Sequence, residues 1–202
     1  MDGKRSQFGG VMQDPYVLFR DWFAEAEANE PNDPNAVALA TATPDGRPSV
    51  RMVLMKAQDP RGFTFHTNLD SRKGVEIEAN SSAAMLFHWK SLRRQVRIEG
   101  RIETVSEEEA DAYFATRSRG SQLSAWASDQ SRPLASGEAF ERRYAEMTAR
   151  FEGAPVPRPP RWSGLRLVPE QIEFWRDREF RMHERRLFVR DGDGWTESLL
   201  FP

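Results

Sequence analysis

Four groups of residues in this chain have the types and spacing to hold an anion. Ser71-Arg72-Lys73-Gly74 sits where an extended run gives way to a helical one. Free backbone N–H groups at a helix start attract negative charge, and two basic side chains add to that pull. Cations in a first helical turn oppose the macrodipole, which a bound phosphate would offset; a solvated turn with two exposed cations is the plain alternative. Arg51 and Lys56 bracket Met52-Val53-Leu54-Met55 and face opposite sides of a strand. Taken alone, Lys56 reads equally as an edge lysine lying along apolar surface. Tyr113, Arg117 and Ser121 follow at i, i+4 and i+8. On an unbroken helix they share a face and form a phenol–guanidinium–hydroxyl clamp for phosphate, although Gly120 stands ready to break that helix. Arg181-Met182-His183-Glu184-Arg185 puts Arg181, His183 and Arg185 on one side of an extended chain. Such groups repel one another unless an anion lies against them, and the histidine titrates near neutrality. An exposed, charged loop is the alternative there.

Gln95, Gln130 and Ser131 offer hydrogen bonds to a ring system, and Trp175 is the one tryptophan placed to stack beside a basic cluster. The common catalytic signatures are absent: no G-x-G-x-x-G, no phosphate-binding P-loop, no G-x-S-x-G and no H-E-x-x-H. His66, His88 and His183 lie far apart in sequence, so no metal centre is expected. The 202 residues contain 29 Lys+Arg against 31 Asp+Glu, a formal net charge of -2, so no broad basic surface for nucleic acid is expected. With no Cys there is no thiolate nucleophile, disulfide or Cys-ligated cluster. Redox chemistry, if any, must come from a bound cofactor. No apolar run approaches the ~20 residues of a membrane span. Residues 1–11 lack an apolar signal core, so a cytoplasmic location is expected.

The elements that must position these groups can be read from turn and periodicity signals. Residues 1–13 are expected to form a mobile arm, and 14–202 a single domain. Asp14-Pro15 opens an amphipathic helix carrying Leu18, Phe19, Trp22, Phe23 and Ala26 to about Asn29. A strand-rich block follows: 36–43, a long extended run 48–59, 63–67, 83–90 and 94–105, with a short helix over 71–80. Pro44-Asp45-Gly46 and Pro60-Arg61-Gly62 mark turns. Helices then take over at 106–116, 120–128 and 138–151. The four prolines of 153–160 forbid a helix there. Strands return at 164–168, 171–175, 186–190 and 195–200, with Asp191-Gly192-Asp193-Gly194 turning the last hairpin. Early and late strands around a helical middle imply an α+β chain, mainly antiparallel β, closed as a barrel and decorated by helices.

Taken together, these segments resemble the pyridoxamine/pyridoxine 5′-phosphate oxidase family. The resemblance rests on Arg51-Met52-Val53-Leu54-Met55-Lys56, His66-Thr67-Asn68 with Ser71-Arg72-Lys73-Gly74, Arg94-Gln95-Val96, Gln130-Ser131, and Glu173-Phe174-Trp175 followed by Arg181 to Arg185. It implies a Greek-key-like, FMN-binding split β-barrel and a homodimer with FMN at the interface. It implies oxidation of a phosphorylated B6 vitamer to pyridoxal 5′-phosphate, with O2 reduced to H2O2. FMN contacts are then expected at Arg51, Met52, Val53, Leu54, Met55, Lys56, His66, Thr67, Arg72, Lys73, Gln95, Gln130, Ser131, Trp175 and Arg185. Substrate contacts are expected at Lys56, Tyr113, Arg117, Ser121, Arg181 and His183, the last two also being the candidate catalytic pair. Two other readings compete: a related FMN oxidase of a phenazine-type aromatic, and a non-catalytic module binding FMN or pyridoxal phosphate. The chain departs from the family pattern at His66, commonly Tyr, at Ser124, Phe180, Met182 and Glu184, and at its C-terminus. There Leu199-Leu200-Phe201-Pro202 lacks the usual Arg, which leaves the anchoring of the tail open.

Overall fold

The structure is a computed structural model that describes residues 14–202. The arm expected over 1–13 lies outside the described residues. The first helix, α1 (Pro15–Asn29), starts where the sequence signals it: the Asp14 carboxylate accepts the Tyr16 N–H and Pro15 fills the first turn. Its apolar stripe, Tyr16, Leu18, Phe19, Trp22 and Ala26, is buried against the sheet.

Nine strands among the described residues form one curled, antiparallel sheet. These are β1 (Ala36–Ala42), β2 (Pro48–Leu54), β3 (Ala57–Asp59), β4 (Gly62–Asn68), β5 (Ser82–Trp89), β6 (Arg94–Thr104), β7 (Trp162–Arg176), β8 (Glu184–Asp191) and β9 (Gly194–Leu199). Their order is β2-β1-β5-β6-β7-β4-β3, with β8 also on β7 and β9 on β8. Phe19, Phe63, Phe65, Phe87, Val96, Ile98, Phe174 and Phe188 fill the inside of the curl.

Two expectations change. The long run 48–59 is not one strand. β2 ends at Leu54, the Met55 N–H donates to the Asn35 carbonyl at 2.9 Å, and the Lys56 N–H donates to the Thr64 carbonyl at 2.8 Å. The chain thus turns a corner and passes from β1 to β4. In the tail the reverse happens: 164–168 and 171–175 are one strand, β7. Its register against β6 shifts between Glu99 and Gly100, which pairs with Pro169. A bulge tolerates a proline that cannot donate to the ladder, so the strand bends without breaking. Gly100 is required at that bend, since a Cβ there would lie 2.1 Å from the Val168 carbonyl oxygen. The first part of β7 pairs with β4 and the last part with β8.

The helices α2 (Arg72–Ala79), α3 (Glu107–Thr116), α4 (Arg119–Ala127) and α5 (Gly137–Arg150) are each capped by a serine: Ser71, Ser106, Ser118 and Ser136. Phe114, Leu123, Phe151, Val156 and Trp162 form a second, smaller core. It fixes α3 and α4 beside the first part of β7.

Candidate active site

A cleft of about 720 Å³ opens between β2, β4, the start of α2, and α3–α4. It is lined by Arg51, Met52, Val53, Leu54, Lys56, His66, Thr67, Lys73, Tyr113, Arg117, Ser121 and Gln130. Three of the four anion-binding groups read from the sequence therefore meet in one place. Only long-range pairing achieves this, because β2 and α3 are far apart in the chain.

Lys73 is the electrostatic centre of the cleft. Only 8% of it is exposed, and its Nζ donates to Thr67 Oγ1 at 2.9 Å, Ser71 Oγ at 3.1 Å and Gln130 Oε1 at 3.3 Å. All three acceptors are neutral. Burial, reinforced by the Arg51 charge, pushes the Lys73 pKa down to about 8. The Ser71 hydroxyl caps α2 by accepting the Gly74 N–H at 3.3 Å, so Lys73 lies in the first turn. A buried cation at a helix start, with no carboxylate partner among the described residues, is suited to hold an anion.

The opposite wall is an aromatic stack. His66 stacks on Tyr113, at 3.8 Å between ring centroids and 16° from parallel, and lies 5.3 Å from Trp162, which is itself 6.2 Å from Tyr113. The Arg117 guanidinium sits 4.9 Å from the Trp162 ring centroid. Burial first, then the Arg117 and Lys56 charges, push the His66 pKa down to about 4. Burial also pulls the Arg117 pKa below its ordinary value. Arg117 Nη1 and His66 Nδ1 are both buried without a hydrogen-bond partner among the described residues. The helix expected to carry Tyr113, Arg117 and Ser121 on one face is interrupted, at Arg117–Ser118 and not at Gly120. Ser118 starts a new helix, and Ser121 still reaches the cleft from its first turn.

The remaining candidates are not at this cleft. The Met55 side chain faces the core at 5% exposure, and Asn35 occupies both its N–H and its carbonyl. Ser131, in a left-handed conformation at φ 70°, lines a neighbouring cavity of about 180 Å³. Arg72 lies just outside, its Nε 2.9 Å from Glu76 Oε1. Gln95, Trp175 and Arg185 lie side by side on β6, β7 and β8 and line a separate pocket with Glu173 and Pro202.

Arg181 and His183 do not extend along one face with Arg185. The chain makes a tight 3-10 turn over Glu179–Arg181, with φ 55° at Phe180 and 65° at Arg181. Left-handed backbone at two successive non-glycine residues destroys the strand alternation on which the one-face reading relied. Arg181 lines a pocket of about 590 Å³ with His88, Lys90, Arg93 and Trp175. His183 packs on Trp175 at 4.7 Å, and its Nδ1 lies 2.9 Å from Asp177 Oδ1. The tail is held without the missing Arg: the Leu200 N–H donates to the Arg185 carbonyl at 3.0 Å, and Arg185 Nη1 to the Phe201 carbonyl at 3.0 Å.

Sequence reasoning missed Trp162, Ser118 and Glu76. Trp162 follows the proline segment with no partner in local sequence. Glu76 stands four residues after Arg72, the one signal that could have found it.

A curled antiparallel sheet of this order, with a cationic cleft at the corner between β2 and β4, defines the split β-barrel class. A protein from Nostoc punctiforme, described as pyridoxamine 5′-phosphate oxidase-related and FMN-binding, shares the fold at TM-score 0.75 and 20% identity, covering 95% of this chain and 100% of that one. Residues 23–151 match the family model for pyridoxamine 5′-phosphate oxidase, and residues 162–202 match the pyridoxine 5′-phosphate oxidase C-terminal dimerisation region. The chain belongs to the pyridoxamine 5′-phosphate oxidase family. It is similar to the pyridoxine/pyridoxamine 5′-phosphate oxidase of Sphingopyxis alaskensis, at 67% identity over 95% of this chain and 89% of that one. The protein of the same description from Novosphingobium aromaticivorans is 59% identical over the whole of both chains. PhzG from Burkholderia lata 383, solved with tetrahydrophenazine-1-carboxylic acid, is 37% identical at TM-score 0.89, covering 95% and 94% of the two chains.

Proposed function

We propose that this chain oxidises pyridoxamine or pyridoxine 5′-phosphate to pyridoxal 5′-phosphate, using FMN and O2, as a homodimer whose FMN site is shared between subunits. The observation that carries this reading is the buried Lys73 with three neutral acceptors at the start of α2. A site with that cation fits the phosphate of FMN, with Arg51 and Arg72 beside it. Arg117 and His66 carry buried polar atoms that still need partners. With Lys56, Tyr113 and Ser121 they fit a second phosphate, that of the substrate. Met52, Val53, Leu54 and Thr67 supply the wall between the two.

The split placement of the candidates supports the dimer. Gln95, Trp175, Arg185 and Arg181 line two pockets that meet at Trp175 and share no residue with the cleft of the same chain, and His183 packs on Trp175 beside them. A second copy brings the halves together. Val50, Met52 and Leu54, at 69%, 62% and 41% exposure, give β2 an apolar outer face suited to that contact.

Bound FMN supplies hydride acceptance from the substrate C4′ carbon and reoxidation by O2 to H2O2. The chain supplies binding and proton handling. Two separate phosphate clamps fix the relative position of the two ring systems, and such orientation is worth up to ~7–11 kcal/mol of barrier. His183 Nδ1 accepts the Arg178 N–H at 3.2 Å and lies 2.9 Å from Asp177 Oδ1, contacts that fix the orientation of the ring. The ring is the candidate for exchanging a proton with the substrate amine or alcohol. Arg181 positions the ring from the adjacent turn.

The test is direct. Purified protein that carries yellow flavin and converts pyridoxamine 5′-phosphate in air to equal amounts of aldehyde and peroxide supports the proposal. Flavin without turnover refutes it and favours a carrier or sensor. Turnover of a phenazine carboxylate but not of the phosphorylated vitamer favours the PhzG-like alternative, although a substrate without phosphate leaves the Lys56–Tyr113–Arg117–Ser121 set unexplained.

A further inference from the structure

Glu76 is buried, at 6% exposure, in the middle of a group of donors of which Arg51 lines the cleft and Thr41, Ser49 and Arg72 do not. Its Oε2 accepts from Thr41 Oγ1 at 2.5 Å, Ser49 Oγ at 2.5 Å and Arg51 Nη2 at 3.2 Å. Its Oε1 accepts from Arg72 Nε at 2.9 Å. Arg51 is held from its other side by Thr41 Oγ1 at 2.6 Å and the Leu39 carbonyl at 3.2 Å, and it also reaches Ser49. Arg51 comes from β2 and Arg72 from α2. Among the described residues, Glu76 is the group that bonds both.

We propose that Glu76 is a positioning residue for the FMN phosphate: one buried carboxylate that fixes the Arg51 and Arg72 guanidinium groups relative to Lys73 and the start of α2. The inference rests on the FMN reading above and adds a residue that does not itself line the cleft. Its physical basis is entropic and geometric. A free arginine has many rotamers, and ordering it at the moment of binding weakens the complex. Glu76 orders both arginines beforehand. Burial works against its charge, yet the bonds from Ser49, Thr41 and Arg72 and the Arg51 charge outweigh it and bring its pKa to about 2. The carboxylate is therefore ionised at every pH where the protein is used. An ion pair buried only to hold a fold is easily replaced by apolar packing. One that joins a cation lining the cleft to a second cation on another element has a reason to be ionic.

The experiment measures the affinity of the flavin-free full-length protein for FMN and for riboflavin, by quenching of flavin fluorescence, in wild type, Glu76→Gln and Glu76→Ala. The ratio of the two affinities isolates the phosphate contribution. Glu76→Ala is expected to lower that ratio at least about tenfold, the scale of one lost charge-assisted hydrogen bond, with riboflavin affinity unchanged. Glu76→Gln, which keeps the shape and some acceptor capacity, should fall between the two. A merely structural role weakens FMN and riboflavin alike and leaves the ratio unchanged, which overturns the proposal. A higher ratio in either variant also overturns it, because the carboxylate would then act only by repelling the phosphate. If Glu76→Ala does not fold, the Glu76→Gln ratio decides alone. A wild-type ratio near one sinks the FMN-phosphate reading itself, an outcome distinct from failure of the Glu76 role.

Discussion

Replacing Lys73 by Met should make the flavin-free protein more stable and the FMN-loaded protein less so. The Lys73 Nζ has only hydroxyl and amide acceptors, and its pKa falls from 10.5 to about 8, mainly through burial. The full shift corresponds to an upper limit of about 3 kcal/mol against the folded state. The amine faces an open cleft, and solvent screening reduces this to about 1–2 kcal/mol. The sign follows from proton linkage. Between pH 8 and 10.5 the unfolded chain binds more protons at this site than the folded one. Stability of the flavin-free protein therefore rises with pH across that window, and the penalty is complete below pH 8. Lys73→Met removes the penalty, so at pH 7 its flavin-free form should melt about 2–8 °C above wild type. The gap should close toward pH 10.5. With excess FMN the order should reverse, because ligand binding raises the melting temperature of wild type far more than that of the variant. Melting curves at pH 7, 8.5 and 10, with and without FMN, check all three statements. A flavin-free variant that melts below wild type by the same amount at every pH would refute the reasoning and make Lys73 a structural hydrogen-bond donor.

Three further outcomes are expected. His66, with its pKa near 4, should stay neutral down to about pH 5. Its NMR titration midpoint should lie well below the ordinary 6.5, and its contribution to stability should fall as pH drops from 6.5 toward 4; a midpoint at 6.5 contradicts the buried stack. Gly74→Ala adds a good helix former, worth about 1 kcal/mol in favour, but its Cβ would lie 2.2 Å from the Leu69 carbonyl oxygen. Net destabilisation in chemical denaturation is expected, and a gain in stability would show that α2 can move away from Leu69. Arg181→Ala should impair turnover while flavin stays bound, as judged by the flavin spectrum of the purified variant. Loss of flavin instead would move Arg181 from the substrate to the cofactor.

Much of the site's chemistry was legible from residue types and short spacings. Ser71 before Arg72-Lys73 is a cap followed by two cations, and the structure keeps it so. Ser106 caps α3 as its sequence signals, but Glu109 bonds Arg166 and not the cap backbone, because a buried arginine competes for it. The alternation of Val96, Ile98 and Ile102 survives in β6, all three being buried. These signals are local: each depends on backbone within a few residues.

The failures share one cause. Periodicity assigns a face only while the backbone is uniform, and function here sits where it is not. Met55 was grouped with Arg51–Lys56, but the corner after Leu54 turns its side chain into the core. Arg181, His183 and Arg185 share no face, because the backbone is left-handed at Phe180 and Arg181 and the strand begins only at Glu184. The helix through Tyr113 and Arg117 stops at Ser118, whose hydroxyl starts a new one. By itself the sequence determined the inventory: two sets of candidate phosphate-binding groups, a need for a cofactor if a chain without Cys is to do redox chemistry, and a mainly antiparallel fold. Only the tertiary structure decided which cations meet, that Lys73 is buried among neutral acceptors, that Glu76 ties Arg51 to Arg72, and that the candidate residues line separate cavities. Those outcomes depend on how a curled sheet closes and which distant strands pair, and no local run of residues encodes that.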